Sequence, residues 1–209
     1  MSSVHEGHRK RAKQLFLQND FKGMSQHNIL ELILFYALPR RDTNKLAHIL
    51  IERFGSISGV FDAPFDELIK VDGIGENAAT LLKLFPSVSR LYNEDKCDVG
   101  NVLDSVEKAG RYLVPKFIGY NNEIFYIVCL DNKMKILYSG ILFEGTANTV
   151  PIAIRKITEI VIRVNAAHVI LSHNHPQGLC VPSAEDISST RLIYRGLQQV
   201  GVNLRDHII

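Results

Sequence analysis

The sequence predicts an α+β protein in two parts: an all-helical N-terminal domain over residues 1–95 and an α/β sandwich with a mixed sheet over residues 100–209. Three observations carry this. Residues 1–95 place their apolar groups at helical spacing and contain no alternating, strand-like run. Residues 100–209 instead alternate strand-like runs with helical stretches, the order from which a small sheet covered by helices is built. Between them, Asn93-Glu94-Asp95-Lys96-Cys97-Asp98-Val99-Gly100 is polar and lacks periodicity, so it reads as a linker.

Within the first part, Arg9 to Gln18 forms a basic helix that packs through Leu15 and Phe16. Ser25 to Leu38 carries Ile29, Leu30, Leu32, Ile33, Leu34 and Tyr36 on nearly every face, which predicts a buried helix. Pro39-Arg40-Arg41-Asp42 stops it. Thr43 caps the next helix, which ends near Phe54-Gly55. A short helix from Pro64 to Lys70 leads into Val71-Asp72-Gly73-Ile74-Gly75, and another helix runs to about Tyr92 with a kink or break at Pro86.

The segment Val71-Asp72-Gly73-Ile74-Gly75, with alanines at 78 and 79, resembles a helix-hairpin-helix motif. Two glycines permit a tight turn and bare the backbone N–H groups at the start of a helix, where the dipole favours a phosphate. Gly73, Ile74 and Gly75 are therefore candidates for contact with a nucleic-acid backbone, without base specificity. A glycine turn that only joins two packed helices accounts for the same letters. Lys70 and Lys83 are near, but Asp72 and Glu76 flank the turn itself.

In the second part, Asp104 or Ser105 starts a helix that ends near Lys116. Asn121 to Leu130 reads as a strand, Asp131-Asn132-Lys133 as a turn, and Met134 to Phe143 as the returning strand. Gly145-Thr146 begins a loop and a helix covers about Pro151 to Asn165. Val169-Ile170-Leu171 is a short buried strand, Ser183 to Gln199 a helix, and Val202 to Ile209 the start of a last strand.

The chemistry gathers at the end of the Val169 strand. Residues two apart on a strand face the same way, so His173 and His175 can aim at one point. Asp186 falls in the first turn of the following helix, from which a carboxylate can swing back toward them. Two imidazoles and one carboxylate on zinc leave a fourth position for water, the ligand arrangement of a hydrolytic site. Helix capping by Ser183-x-x-Asp186 explains that pair as well, and the two roles are compatible because a carboxylate has two oxygens. A base is also needed, and Glu123, Glu144, Glu159 and Glu185 all qualify by residue type. Cys180, between the ligands, reads as an ordinary loop thiol or an extra ligand, and Asn174 as a residue that orients the loop.

His-Asn-His-Pro at 173–176 followed by Pro-Ser-Ala-Glu-Asp at 182–186 matches the pattern of the JAMM (MPN-plus) metalloproteases, with ten residues between His175 and Asp186. Gly145-Thr146, Asn165-Ala166-Ala167 and the late Asp206-His207-Ile208-Ile209 make the chain similar to RadC-type bacterial proteins in particular, over nearly its whole length. The resemblance implies zinc (Zn2+) held by His173, His175 and Asp186, Glu123 as catalytic base ahead of Glu144, and Ser183 as the oxyanion donor. It also implies a peptide or isopeptide substrate and carries a family label of DNA repair. The chain departs from the RadC-type pattern at Ile154-Arg155-Lys156, where Pro-Arg-Glu is usual, and it stops at Asp206-His207-Ile208-Ile209, where relatives commonly continue.

Composition excludes several classes. With 46% hydrophobic residues the 209-residue chain has ample material for a core. No run of about 18 apolar residues or signal pattern is present, so the expectation is a cytoplasmic protein with no membrane partner. Cys97, Cys129 and Cys180 show no paired spacing, which argues against a disulfide framework. The net charge of +2 is uninformative, but His8-Arg9-Lys10-Arg11-Ala12-Lys13 concentrates positive charge near the N-terminus. A contiguous His-Asn-His does not reproduce the scattered residues of the finger-type nucleases, and no Pro-Cys-x-x-Cys of a zinc deaminase is present. Two readings of different class stand: a zinc-dependent hydrolase of amide bonds linked to DNA, and a DNA-binding or adaptor protein whose metal site is structural or idle.

Overall fold

The computed structural model describes residues 2–96, 100–145, 150–176 and 178–209. Cys97 to Val99 of the expected linker and Thr146 of the expected loop lie outside the described residues. The chain divides into two compact units, Met1–Val88 and Ser89–Ile209.

The first unit is built from α1 (Ser2–Asn19), α2 (Gln26–Ala37), α3 (Thr43–Phe54), α4 (Ile57–Asp62), α5 (Phe65–Ile69) and the first part of α6 (Glu76–Lys96). Helix α2 buries Leu30, Leu32, Ile33, Leu34 and Phe35, as its apolar faces require. Against it pack Leu46, Ala47 and Leu50 of α3, Val60, Leu68, and Ala78, Ala79 and Leu82 of α6, which together form one core. The cap of α3 is Asp42 rather than Thr43. Asp42 Oδ1 accepts from the backbone N–H groups of Asn44 (3.1 Å) and Lys45 (3.4 Å), while Thr43 is buried at the first helical position. Helix α4 had no strong periodicity to announce it; Ser56 starts it by accepting from the N–H of Gly59 at 3.0 Å.

Helix α6 runs through Pro86 and on to Lys96, so neither a break at Pro86 nor an end near Tyr92 occurs, and the first half of the expected linker is helical. Proline removes one helical hydrogen bond, but the turns beyond it are held elsewhere. Arg90 donates to the carbonyl of Ile118 (3.3 Å) and Glu94 pairs with Lys116 at 3.0 Å.

The second unit holds α7 (Val106–Leu113) with a 3-10 turn at Val114–Phe117, then β1 (Ile124–Leu130), β2 (Ile136–Glu144), α8 (Val150–Arg163), β3 (His168–His173), α9 (Ala184–Gln199) and β4 (Asn203–Ile208). The sheet order is β2-β1-β3-β4, with β1 antiparallel to β2 and β3, and β3 parallel to β4 through the α9 crossover. Strand alternation sorts the residues into two layers. Ile127, Cys129, Val169 and Leu171 pack with Ile157, Ile160 and Val161 of α8 and Ile193 and Leu197 of α9. Tyr126, Val128, Leu130 and Ile170 pack on the other face with Ala109 and Leu113 of α7. The architecture is thus α+β, with a helix-covered mixed sheet after a helical N-terminal part. Among the described residues, no helix is long and apolar enough to cross a membrane.

Candidate metal centre

The site lies at one end of the sheet, where β1 begins and β2, β3 and β4 end. The register places Phe125 opposite His173, Ile124 opposite Glu144, and Leu171 beside His207. His173 is the last residue of β3 and shares the α8/α9 face with Val169 and Leu171, by alternation along the strand. Its exposure is only 2%. His175 is not on the strand, as the i, i+2 reading expected, but in the loop beyond it. There its Nδ1 lies 2.9 Å from the carbonyl oxygen of Leu179, which turns Nε2 back toward His173. The two Nε2 atoms approach to 2.9 Å.

Asp186 enters from the first turn of α9. Ser183 is the N-cap: its Oγ accepts from the N–H of Asp186 (3.1 Å), while its own N–H and hydroxyl donate to Asp186 Oδ2 at 2.7 and 2.6 Å. The capping box therefore fixes the carboxylate, and ligation remains open to it. Oδ1 lies 3.3 Å from His173 Nε2 and Oδ2 lies 3.5 Å from His175 Nε2. Among the described residues, His173, His175 and Asp186 are the one group of three such side chains whose ligand atoms all lie within 4.8 Å of one another. Two ligands bound at about 2.0–2.1 Å to a tetrahedral ion sit roughly 3.3 Å apart. The two imidazole nitrogens are 2.9 Å apart and Asp186 reaches each with a different oxygen, at 3.3 and 3.5 Å, while one ligand atom from each of the three residues fits within 4.8 Å.

The electrostatics suit a cation. Burial pushes the pKa of His173 down, against the pull of the Asp186 charge, and the neutral imidazole is the form that ligates. Burial raises the pKa of Asp186, but the hydrogen bonds from Ser183 and the two neighbouring histidines outweigh it and hold the carboxyl below its ordinary range. The donor set is two imidazole nitrogens and one carboxylate.

Glu123 sits immediately before β1 and is half-buried. Its charge acts on His173, pulling the imidazole pKa up against burial. Its backbone is gripped from both sides by Asn174, whose Oδ1 accepts from the N–H of Ile124 (2.7 Å) and whose Nδ2 donates to the carbonyl of Asn122 (3.1 Å). The N–H of Gly145 also donates to the Glu123 carbonyl at 2.7 Å. Asn174 thus ties the histidine loop to the glutamate, a more specific task than orienting its own loop. Glu144 is exposed at the end of β2, Glu159 is exposed on α8 and Glu185 is exposed in the first turn of α9. Cys180 is an exposed free thiol and does not join the cluster of three. The hydroxyl proton of Ser183, expected to face an oxyanion, is directed at Asp186.

One residue of the site escaped the sequence reading. His207 of β4 places Nε2 at 2.9 Å from His173 Nδ1, and its own Nδ1 lies 2.5 Å from Thr190 Oγ1 of α9. Burial, reinforced by the neighbouring His173, lowers its pKa to about 4. The Asp206-His207 pair was visible as a motif, but nothing in a linear sequence says that β4 lies beside β3.

In the first unit, the glycine turn lies between α5 and α6. The N–H of Ile74 donates to Val71 at 2.9 Å, and Gly73 has φ +96°, the region that favours glycine. Val71 and Ile74 are buried in the helical core, and the Ile74 N–H is already taken by the Val71 carbonyl. The Arg41 guanidinium lies over the turn, with Nη1 3.3 Å from where a Cβ on Gly73 would stand.

Residues 103–209, which include every residue of the metal cluster, match the model of a family described as the RadC-like JAB domain. Over nearly its whole length the chain is similar to a UPF0758 protein of Fusobacterium nucleatum, at 34% identity across 98% of this chain and 91% of that protein. A UPF0758 protein of Ruegeria pomeroyi is 31% identical across 100% of this chain and 93% of its own length.

Proposed function

Because the chain belongs to the RadC-like JAB domain family, whose wider superfamily includes metalloproteases, we propose that it is a zinc-dependent hydrolase of peptide or isopeptide bonds. The observation that carries this reading is the convergence of His173, His175 and Asp186 at the same sheet end as Glu123. His173, His175 and Asp186 would hold the zinc ion, which when bound would supply Lewis acidity toward a scissile carbonyl and a water. The remaining work falls to the protein. Glu123 takes the proton of the attacking water and returns it to the leaving amine nitrogen, and Asn174 keeps its backbone in place. Ser183 is the candidate oxyanion donor, a role that requires its proton to turn from Asp186 Oδ2 toward the substrate.

The link to DNA belongs to the same proposal. Its support is the glycine turn at Gly73–Gly75, which leads into the N-terminus of α6 with Arg41 beside it. A cytoplasmic setting is part of the proposal as well. The competing reading, a DNA-binding or adaptor protein whose metal site is structural or idle, is favoured by folding without zinc together with DNA binding through Gly73–Gly75, and predicts no turnover.

The deciding experiment measures zinc by mass spectrometry on the wild type, His173→Ala and Asp186→Ala, and follows hydrolysis of peptide and isopeptide libraries with Glu123→Gln as control. One zinc per wild-type chain, lost in both ligand variants, together with cleavage lost in Glu123→Gln, supports the hydrolase. A wild type that takes up no supplied zinc overturns it.

A further inference from the structure

We infer that His207 and Thr190 are positioning residues which keep a proton on Nδ1 of His173 and so present its Nε2 to the metal as a bare lone pair. The inference rests on the metal-centre reading above and adds to it a proton assignment that reaches two residues beyond the ligands.

The geometry makes each assignment follow from the one before. An imidazole that ligates through Nε2 is neutral and carries its proton on Nδ1. In His173 that proton faces His207 Nε2 at 2.9 Å, so His207 Nε2 must be an acceptor. The proton of His207 then sits on Nδ1 and donates to Thr190 Oγ1, 2.5 Å away. The opposite assignment has His207 Nε2 donating to His173 Nδ1. It leaves a proton on His173 Nε2, pointing at His175 Nε2 (2.9 Å) and Asp186 Oδ1 (3.3 Å), where the metal belongs. Two chains of tautomers therefore compete, and one of them excludes the metal. The Thr190 hydroxyl is able to accept or to donate; accepting at His207 Nδ1, it holds the chain that leaves His173 Nε2 bare.

The fold builds this chain from three elements. Parallel pairing of β3 and β4 sets His207 beside Leu171, which puts its ring on the same face as His173. Helix α9 supplies Thr190 from the layer covering that face. Phe125 closes the space, stacked against His173 with centroids 6.1 Å apart and edge-on to His207 at 5.5 Å. With His173 only 2% exposed, little water reaches its ring to substitute for a lost partner. A carboxylate in the place of His207 would add a charge to the site. A neutral imidazole orients the ligand without one, and the negative charge stays with Asp186 and Glu123.

The test measures zinc affinity of the full chain by competition with a chromophoric chelator, and reads the histidine nitrogens of the metal-free protein by 15N NMR. The variants are Thr190→Val, which keeps the shape and removes the acceptor, Thr190→Ser, which restores it, His207→Leu, and His207→Gln, which retains an acceptor. Expected are a roughly 10- to 100-fold weaker zinc affinity in Thr190→Val and His207→Leu, with most of it regained in Thr190→Ser and His207→Gln. The metal-free wild type should show His173 protonated on Nδ1, and Thr190→Val should shift that proton toward Nε2. Unchanged affinity in a folded Thr190→Val, or an Nε2-protonated His173 in the wild type, overturns the inference. If the wild type binds no zinc at all, the metal-centre reading fails, and the tautomer in the metal-free protein still decides the role of His207 and Thr190.

Discussion

Glu31 in the helical unit and His173 in the sheet unit are both buried polar side chains, at 4% and 2% exposure, yet their surroundings differ in kind. Around Glu31 the neighbours complement its charge: His8 Nε2 lies 3.1 Å from one carboxylate oxygen and Asn44 Nδ2 donates to the other at 3.0 Å. Its burial is satisfied within the protein, as a structural polar group requires. Around His173 Nε2 the neighbours are another imidazole nitrogen and a carboxylate. Groups that offer lone pairs to one another repel unless something positive lies between them. Burial alone therefore does not mark a functional site; the mismatch of neighbours does.

The comparison can be tested at several strengths. The largest effect should follow Glu123→Gln, which keeps shape and zinc but removes the proton acceptor. Turnover is expected to fall about 10²- to 10⁴-fold, and full activity with zinc bound would remove Glu123 from the mechanism. Asp186→Asn sharpens the contrast at the ligands. Zinc affinity, measured by chelator competition, should weaken by more than the roughly 10–100-fold that loss of an outer partner costs, because an anionic ligand is replaced by a neutral amide.

The matching change in the other unit, Glu31→Gln, should leave zinc content untouched and cost about 1–3 kcal/mol in denaturant unfolding, since it unbalances one satisfied pair. Loss of zinc in that variant would break the distinction drawn between the two buried groups. Asn174→Ala should lower turnover about 10-fold with zinc retained, because the backbone grip on either side of Glu123 is gone. The smallest effect is expected for Gly73→Ala, at about 1 kcal/mol of stability, from a side chain forced to φ +96°. If the turn meets nucleic acid, the same change weakens DNA binding at low salt in a filter or anisotropy assay; unchanged affinity would leave the turn as a plain helix connection.

Much of this protein was legible in its order of residues. The apolar faces of α2 and α3, the β-branched runs of β1 and β3, and the Ser183–Asp186 cap are local patterns, set by spacing along one element. His173, His175 and Asp186 were legible for the same reason, since fourteen positions of sequence hold all three. The misses were of another sort. Asp42 displaced Thr43 as a cap because the choice depends on which oxygen reaches the free N–H groups. Helix α6 crossed Pro86 because contacts at Arg90 and Glu94 hold the turns beyond it.

Sequence alone determined that His173, His175 and Asp186 gather into one candidate metal centre, because a strand end, a loop and a helix start are consecutive and their side-chain directions follow from local geometry. Only the tertiary structure decided their partners. Asn174 meets the backbone around Glu123 across some fifty positions of sequence, and His207 meets His173 across thirty-four. Those meetings depend on sheet order and register, which the side chains of a single strand do not encode. Pairing β3 between β1 and β4 is what brings the glutamate loop to one side of the ligands and the His207–Thr190 pair to the other.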